Sequence, residues 1–169
     1  LLSSNITNGD QVKTDELTSF NSNGFSVGVS VSGYTNLNAT TYVGWQWKAG
    51  GTAVSNTAGS ITSQVSANTT AGFSVVTWTG IAGSVGQTIG HGLGIAPKMV
   101  IVKGRDAGVT GTDHWPVYHT ITGGGQFTLL SLTNAAAAAT NYWNNSNPTT
   151  TVFSIGGNAA NVSNESGKR

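Results

Sequence analysis

Every second residue from Phe25 to Val31 is large and apolar, and the residues between them are serine or glycine. A side-chain period of two belongs to an extended strand that lays one face on a core. The pattern recurs at Val43, Trp45 and Trp47, which alternate with Gly44, Gln46 and Lys48. Further strands are predicted at 73–79, 87–93, 98–103, 115–121, 127–132 and 150–155. The run 98–103 is apolar on both faces and is expected to lie centrally, covered on both sides. Glycine-rich clusters such as Ala49-Gly50-Gly51 and Gly123-Gly124-Gly125 separate the runs and supply the turns. The alanines at 135–139 are the one candidate helical turn, too short to be stable alone. Short strands at close spacing therefore predict an all-β fold, an antiparallel β-sandwich of jelly-roll-like form.

Composition supports a folded chain with an unusual surface. Charged residues make up only 8% of the 169, far below the usual quarter of a soluble domain. Five Trp, five Phe and four Tyr supply a core that a disordered chain would lack. The cations at 13, 48, 98, 103, 105, 168 and 169 are scattered, with no basic stripe to neutralise a run of phosphates, so nucleic acid is not an expected partner. No apolar run approaches the length of a membrane-spanning helix. Without cysteine there are no disulfides and no thiolate metal sites. The opening Leu1-Leu2 carries no initiator Met and no signal-like segment, which leads us to expect a piece of a longer or processed polypeptide.

An internal echo sets the expected organisation. Gly24-Phe25-Ser26-Val27-Gly28 resembles Val152-Phe153-Ser154-Ile155-Gly156, and at the same offset of 128 residues Leu1-Leu2-Ser3 falls on Leu129-Leu130-Ser131. On this reading, residues 1–48 are the C-terminal portion of one β repeat. Residues 49–169 are a second sandwich repeat lacking its last strand, the two expected to be part of a tandem repeat array. The segment 42–48 would then fill the vacant strand position, within the chain or in a neighbour.

Several segments together resemble an uncharacterised β-sandwich repeat domain of tail-fibre and other virion structural proteins of marine bacteriophages, cyanophages included. They are Leu17-Thr18-Ser19-Phe20-Asn21-Ser22-Asn23-Gly24-Phe25, Tyr42-Val43-Gly44-Trp45-Gln46-Trp47-Lys48-Ala49-Gly50-Gly51, Gly59-Ser60-Ile61 and Ala71-Gly72-Phe73-Ser74-Val75-Val76. Gly90-His91-Gly92-Leu93-Gly94-Ile95-Ala96-Pro97, Val100-Ile101-Val102-Lys103 and Trp115-Pro116-Val117-Tyr118-His119 complete the set. The resemblance implies a β module in a virion fibre and supplies no catalytic residues. The stretch from Asp106 to Asp113, and termini that fall inside a repeat, are least typical of it.

Candidate sites are few. Gly90-His91-Gly92-Leu93-Gly94 lacks the Lys-Ser/Thr of a phosphate loop and the third glycine of a dinucleotide fingerprint, so it reads as a corner between strands with His91 at a sheet rim. Asp113, His114 and His119 are close in sequence, but one acid and two histidines are a thin ligand set. His119 shares its parity with Val117 and reads as a hydrogen-bonded core histidine, and no metal or cofactor is expected. Asp106 and Asp113 are the only carboxylate pair for glycoside hydrolysis, on a glycine-rich loop that would not fix their geometry. No Gly-x-Ser-x-Gly elbow is present. Trp45 and Trp47 share a strand face and read as core. The one candidate ligand site is a glycan-binding loop of Asn141, Tyr142, Trp143, Asn144 and Asn145, where an exposed ring would stack on a sugar and amides would bond its hydroxyls.

These readings lead us to expect a non-enzymatic structural module of a phage virion appendage, such as a tail fibre, that can contact the host surface. Its partners would be other copies of itself or other virion proteins, with a host-surface glycan as a further ligand. Its place would be the virion or an extracellular surface. The alternative is a carbohydrate-binding adhesin domain of a phage or bacterial surface filament.

Overall fold

The computed structural model describes residues 1–29, 35–81, 86–106, 113–156, 167 and 169. They form two compact units, one of Leu1–Leu2 with Asp10–Gln46, the other of Ser3–Gly9 with Trp47–Arg169. Among the described residues every regular element is a strand, and every strand pair is antiparallel. The fold is all-β and sandwich-like.

The larger unit holds the core. Strands β3 (Val54–Asn56), β4 (Ser63–Asn68) and β5 (Phe73–Thr77) form a meander. Strand β6 (Gln87–Gly90) pairs with the distant β11 (Val152–Ile155). Strands β7 (Met99–Ile101), β8 (Pro116–His119), β9 (Gln126–Leu129) and β10 (Ala137–Ala138) make a four-stranded sheet in the order β10-β9-β8-β7. Ile89, Phe153 and Ile155 from the β6–β11 pair meet Val102 and Tyr118 from the four-stranded sheet in one buried cluster, with Ile61 and Trp143. A parallel bridge from Ile61 to Ile89, and Ser63 Oγ donating to the Gly90 carbonyl at 3.0 Å, tie the β4 segment to β6. The stretch Ser3–Gly9 is fastened by side chains: Trp115 Nε1 donates to the carbonyls of Ser3 and Ile6, and Lys103 Nζ to that of Thr7.

The smaller unit is built on a hairpin of β1 (Leu17–Asn21) and β2 (Gly24–Val27). Leu17 and Phe20 are three apart and would face opposite ways in a regular strand. A bulge between Leu17 and Ser19 changes that, placing Leu17 opposite Val27 and Phe20 opposite Phe25. Directly opposed residues share a face, so these four apolar side chains line up on one side of the hairpin. Among the described residues of this unit the only buried side chain is Glu16, which accepts a hydrogen bond from the Thr35 hydroxyl.

Four expectations need correction. Residues 42–48 form no strand within this chain, and Trp45 and Trp47, expected in the core, are exposed. Alternation gives a segment two faces but no ladder partner, and among the described residues no strand pairs with this one. Strand β7 is an edge with Met99 and Ile101 half exposed, so the apolar run at 98–103 is covered on one side only. Two of the alanines at 135–139 form β10 on β9, because an edge vacancy in a sheet outweighs a weak helical preference. The strand predicted from Phe25 ends at Val27, and Val31 lies outside the described residues.

Candidate functional site

The loop Asn141–Asn145 is a wall of the core. Gly156 lies so close to the Asn141 carbonyl that any Cβ there would overlap it, and Gly156 N donates to the Tyr142 carbonyl at 3.0 Å. This stitching to the end of β11 turns Trp143 inward, where it is 2% exposed and meets Tyr118 edge to face at 6.0 Å. Tyr142 stacks on Phe127 at 4.0 Å. Burial pushes the phenols of Tyr118 and Tyr142 above the ordinary tyrosine range. Asn144 and Asn145 both take the left-handed backbone conformation, which asparagine tolerates better than most residues. The exposed sugar platform expected at Trp143 is therefore not present. Its polar flanks suggested exposure, and packing against Tyr118 overrode them.

The other nominated groups also serve the fold. His91 is buried rather than at a rim. Its Nε2 donates to the Thr149 carbonyl at 3.2 Å, and its Nδ1 accepts the Leu93 amide at 3.2 Å. That arrangement fixes a neutral ring, and burial holds the imidazole below the ordinary histidine range, the Thr149 bond opposing it. His119 is half-buried, its Nδ1 accepting the Ile121 amide, while His114 Nδ1 lies 3.0 Å from Ser131 Oγ. Asp106 is held by the Arg169 guanidinium at 2.8 Å. Lys103 Nζ donates to the Asp113 carbonyl at 2.7 Å; burial lowers this ammonium, and the Asp113 charge partly restores it. Among the described residues no group of three or more acids and histidines is arranged to hold a metal ion.

What stands out is exposed apolar surface on the smaller unit. Phe20 and Trp45 are each 77% exposed, Val29 and Val43 are comparably bare, and Leu17, Phe25 and Val27 are about a third uncovered. The Phe25 ring lies against Gly44, where a Cβ would crowd it, so the 42–46 segment adjoins the hairpin face. The internal echo makes a direct comparison. Phe153 and Ile155 of β11 are 4% and 0% exposed, while their counterparts Phe25 and Val27 are 39% and 37%. The same letters make a covered strand in one place and a bare one in the other. The alternation at 25–31 located this face and said nothing about what covers it.

Fold and surface together define an antiparallel all-β protein with one well-packed core and one apolar hairpin face left open. The chain belongs to the DUF7483 family, described as a domain of unknown function, whose model matches residues 1–167. No curated protein and no solved structure matches the chain.

Proposed function

We propose that the chain is a structural module of an extracellular or virion appendage, and that it works by associating with further copies of itself through the hairpin face of Leu17, Phe20, Phe25 and Val27. The observation that carries this reading is the exposure of that face in a unit with no buried apolar residue among those described. A two-stranded hairpin is marginal by itself and gains stability only when its apolar side is covered. Phe20 is 77% exposed and Leu17, Phe25 and Val27 about a third, an apolar patch of roughly 400 Å². Isolated patches of that size on a soluble protein mark interaction sites.

A second copy suits the face for two reasons. The β11 strand carries the same Phe-Ser-Val/Ile-Gly pattern and is covered by strands of this same chain, so the chain already contains surfaces that fit it. Strand β2 also carries no Lys, Pro or acid, the residues that usually protect an edge from pairing. A two-fold arrangement of identical hairpins is then self-complementary. In this reading the protein is not an enzyme and needs no cofactor. The resemblance to virion fibre modules supplies the setting.

Sedimentation velocity over a wide concentration range tests it. Association in the micromolar range is expected, weakened about tenfold or more by Phe20→Ser or Trp45→Ser. A wild-type protein that stays monomeric at every concentration would overturn the proposal.

A further inference from the structure

We infer that the larger unit carries a saccharide-binding cleft beside Trp47, suited to an acidic sugar. Trp47 is 63% exposed, yet its ring is stacked on Phe73 at 6.0 Å and 22°. Phe73 begins β5 and is the pairing partner of Asn68 at the end of β4, so the stack sits at the tip of the β4–β5 hairpin. A bare indole held flat by a second ring is pre-organised: it stacks on the face of a pyranose with little further loss of freedom.

The same hairpin tip borders an open cleft of about 430 Å³ lined by Lys48, Gly50, Gly51, Ala67, Asn68 and Thr69. Part of its openness comes from Gly51, where a side chain would meet no other atom. The segment is fixed in place. Asn68 Nδ2 donates to the Lys48 carbonyl at 3.2 Å, Ser66 Oγ to that of Gly51 at 2.6 Å, and Gly50 lies so close to the Ala67 carbonyl that only glycine fits. The lining contains one cation, Lys48, and no carboxylate. An aromatic platform and, next to it along the chain, an open depression with a single positive charge are the elements for holding a uronate-type sugar: ring on ring face, ammonium on carboxylate. Neither Trp47 nor any residue of the cleft lining belongs to the hairpin association face.

Isothermal titration with tetragalacturonate, and with neutral maltotetraose as comparison, tests the assignment. Saturable binding of the acidic tetrasaccharide is expected, stronger than that of the neutral one and weakened by salt. Trp47→Ala should weaken it about tenfold or more, while Trp47→Phe, which keeps a ring on Phe73, retains most of it. Lys48→Gln should remove the preference for the acidic sugar. Thermal unfolding of each variant separates loss of the site from loss of the fold. Phe20→Ser, which disrupts the association face, should bind as wild type does. Failure of wild type to bind either sugar, equal binding of both, or wild-type affinity in a folded Trp47→Ala would each overturn the inference.

Discussion

Replacing Trp143 by alanine should destabilise the protein by about 3 kcal/mol, at the lower end of the range for removing a buried large aromatic. The structure explains the lower end. Trp143 is 2% exposed and packs edge to face on Tyr118, so its removal empties a ring-sized volume in the middle of the core cluster. Against that, its indole Nε1 is buried without a hydrogen-bond partner among the described residues, a burden of about 1–3 kcal/mol that alanine relieves. For a unit of this size the net loss corresponds to a fall in Tm of about 10 °C. Trp143→Phe separates the two effects. It keeps most of the packing and removes the orphaned N–H, so it should stay within about 1 kcal/mol of wild type. Urea unfolding followed by near-ultraviolet circular dichroism measures both. A loss below about 1 kcal/mol for Trp143→Ala would refute the reasoning, because no ring that holds a core together is removed so cheaply. It would also reinstate the Asn141–Asn145 loop as an exposed sugar platform.

Two further predictions concern the same core. His91 is neutral in the fold with its imidazole held below the ordinary value of 6.5, so the unfolded chain binds the extra proton first as pH falls. Stability is therefore full above about pH 6.5 and declines as pH drops below it, until the folded protein's own titration point is passed; urea midpoints at pH 8 and pH 5 should differ, and His91→Gln should narrow the difference. Gly156→Ala should cost at least about 2 kcal/mol, since its methyl group would displace the Asn141 carbonyl and the loop that seats Trp143. A thermal midpoint within a degree or two of wild type would show that this close approach is not required.

Alternation located β2, β5, β6, β8, β9 and β11 to within a few residues, because each places large apolar residues on one face, and the short apolar run 99–102 located β7. It missed β1, where the bulge puts Leu17 and Phe20 three apart and breaks the period. It missed β4 because the buried face there includes Ser63, which looks like a surface residue until its hydroxyl is seen to bond the Gly90 carbonyl. Strands β3 and β10 are three and two residues long and exist through their pairing with neighbours, which local sequence does not encode. The candidate sites were harder to read for the same reason. Asn144 and Asn145 mark a polar loop correctly, but the fate of Trp143 was decided by Tyr118, 25 positions earlier in the chain. Trp47 alternates as a core residue would and is bare in the structure. The signal that could have found it was its neighbourhood, Lys48 and the small Ala49-Gly50-Gly51, which cannot bury a ring.

The central claim is that the hairpin face associates with its counterpart in another copy, and hydrogen exchange at the backbone amides of β2 tests it most directly. Exchange should slow about tenfold or more as the protein is raised from dilute to concentrated solution, with β6 and β11 unchanged, and Phe20→Ser should abolish the dependence. Identical β2 exchange at all concentrations would show that nothing covers this face in the assembled state, and the account of the protein as a self-assembling module would be wrong.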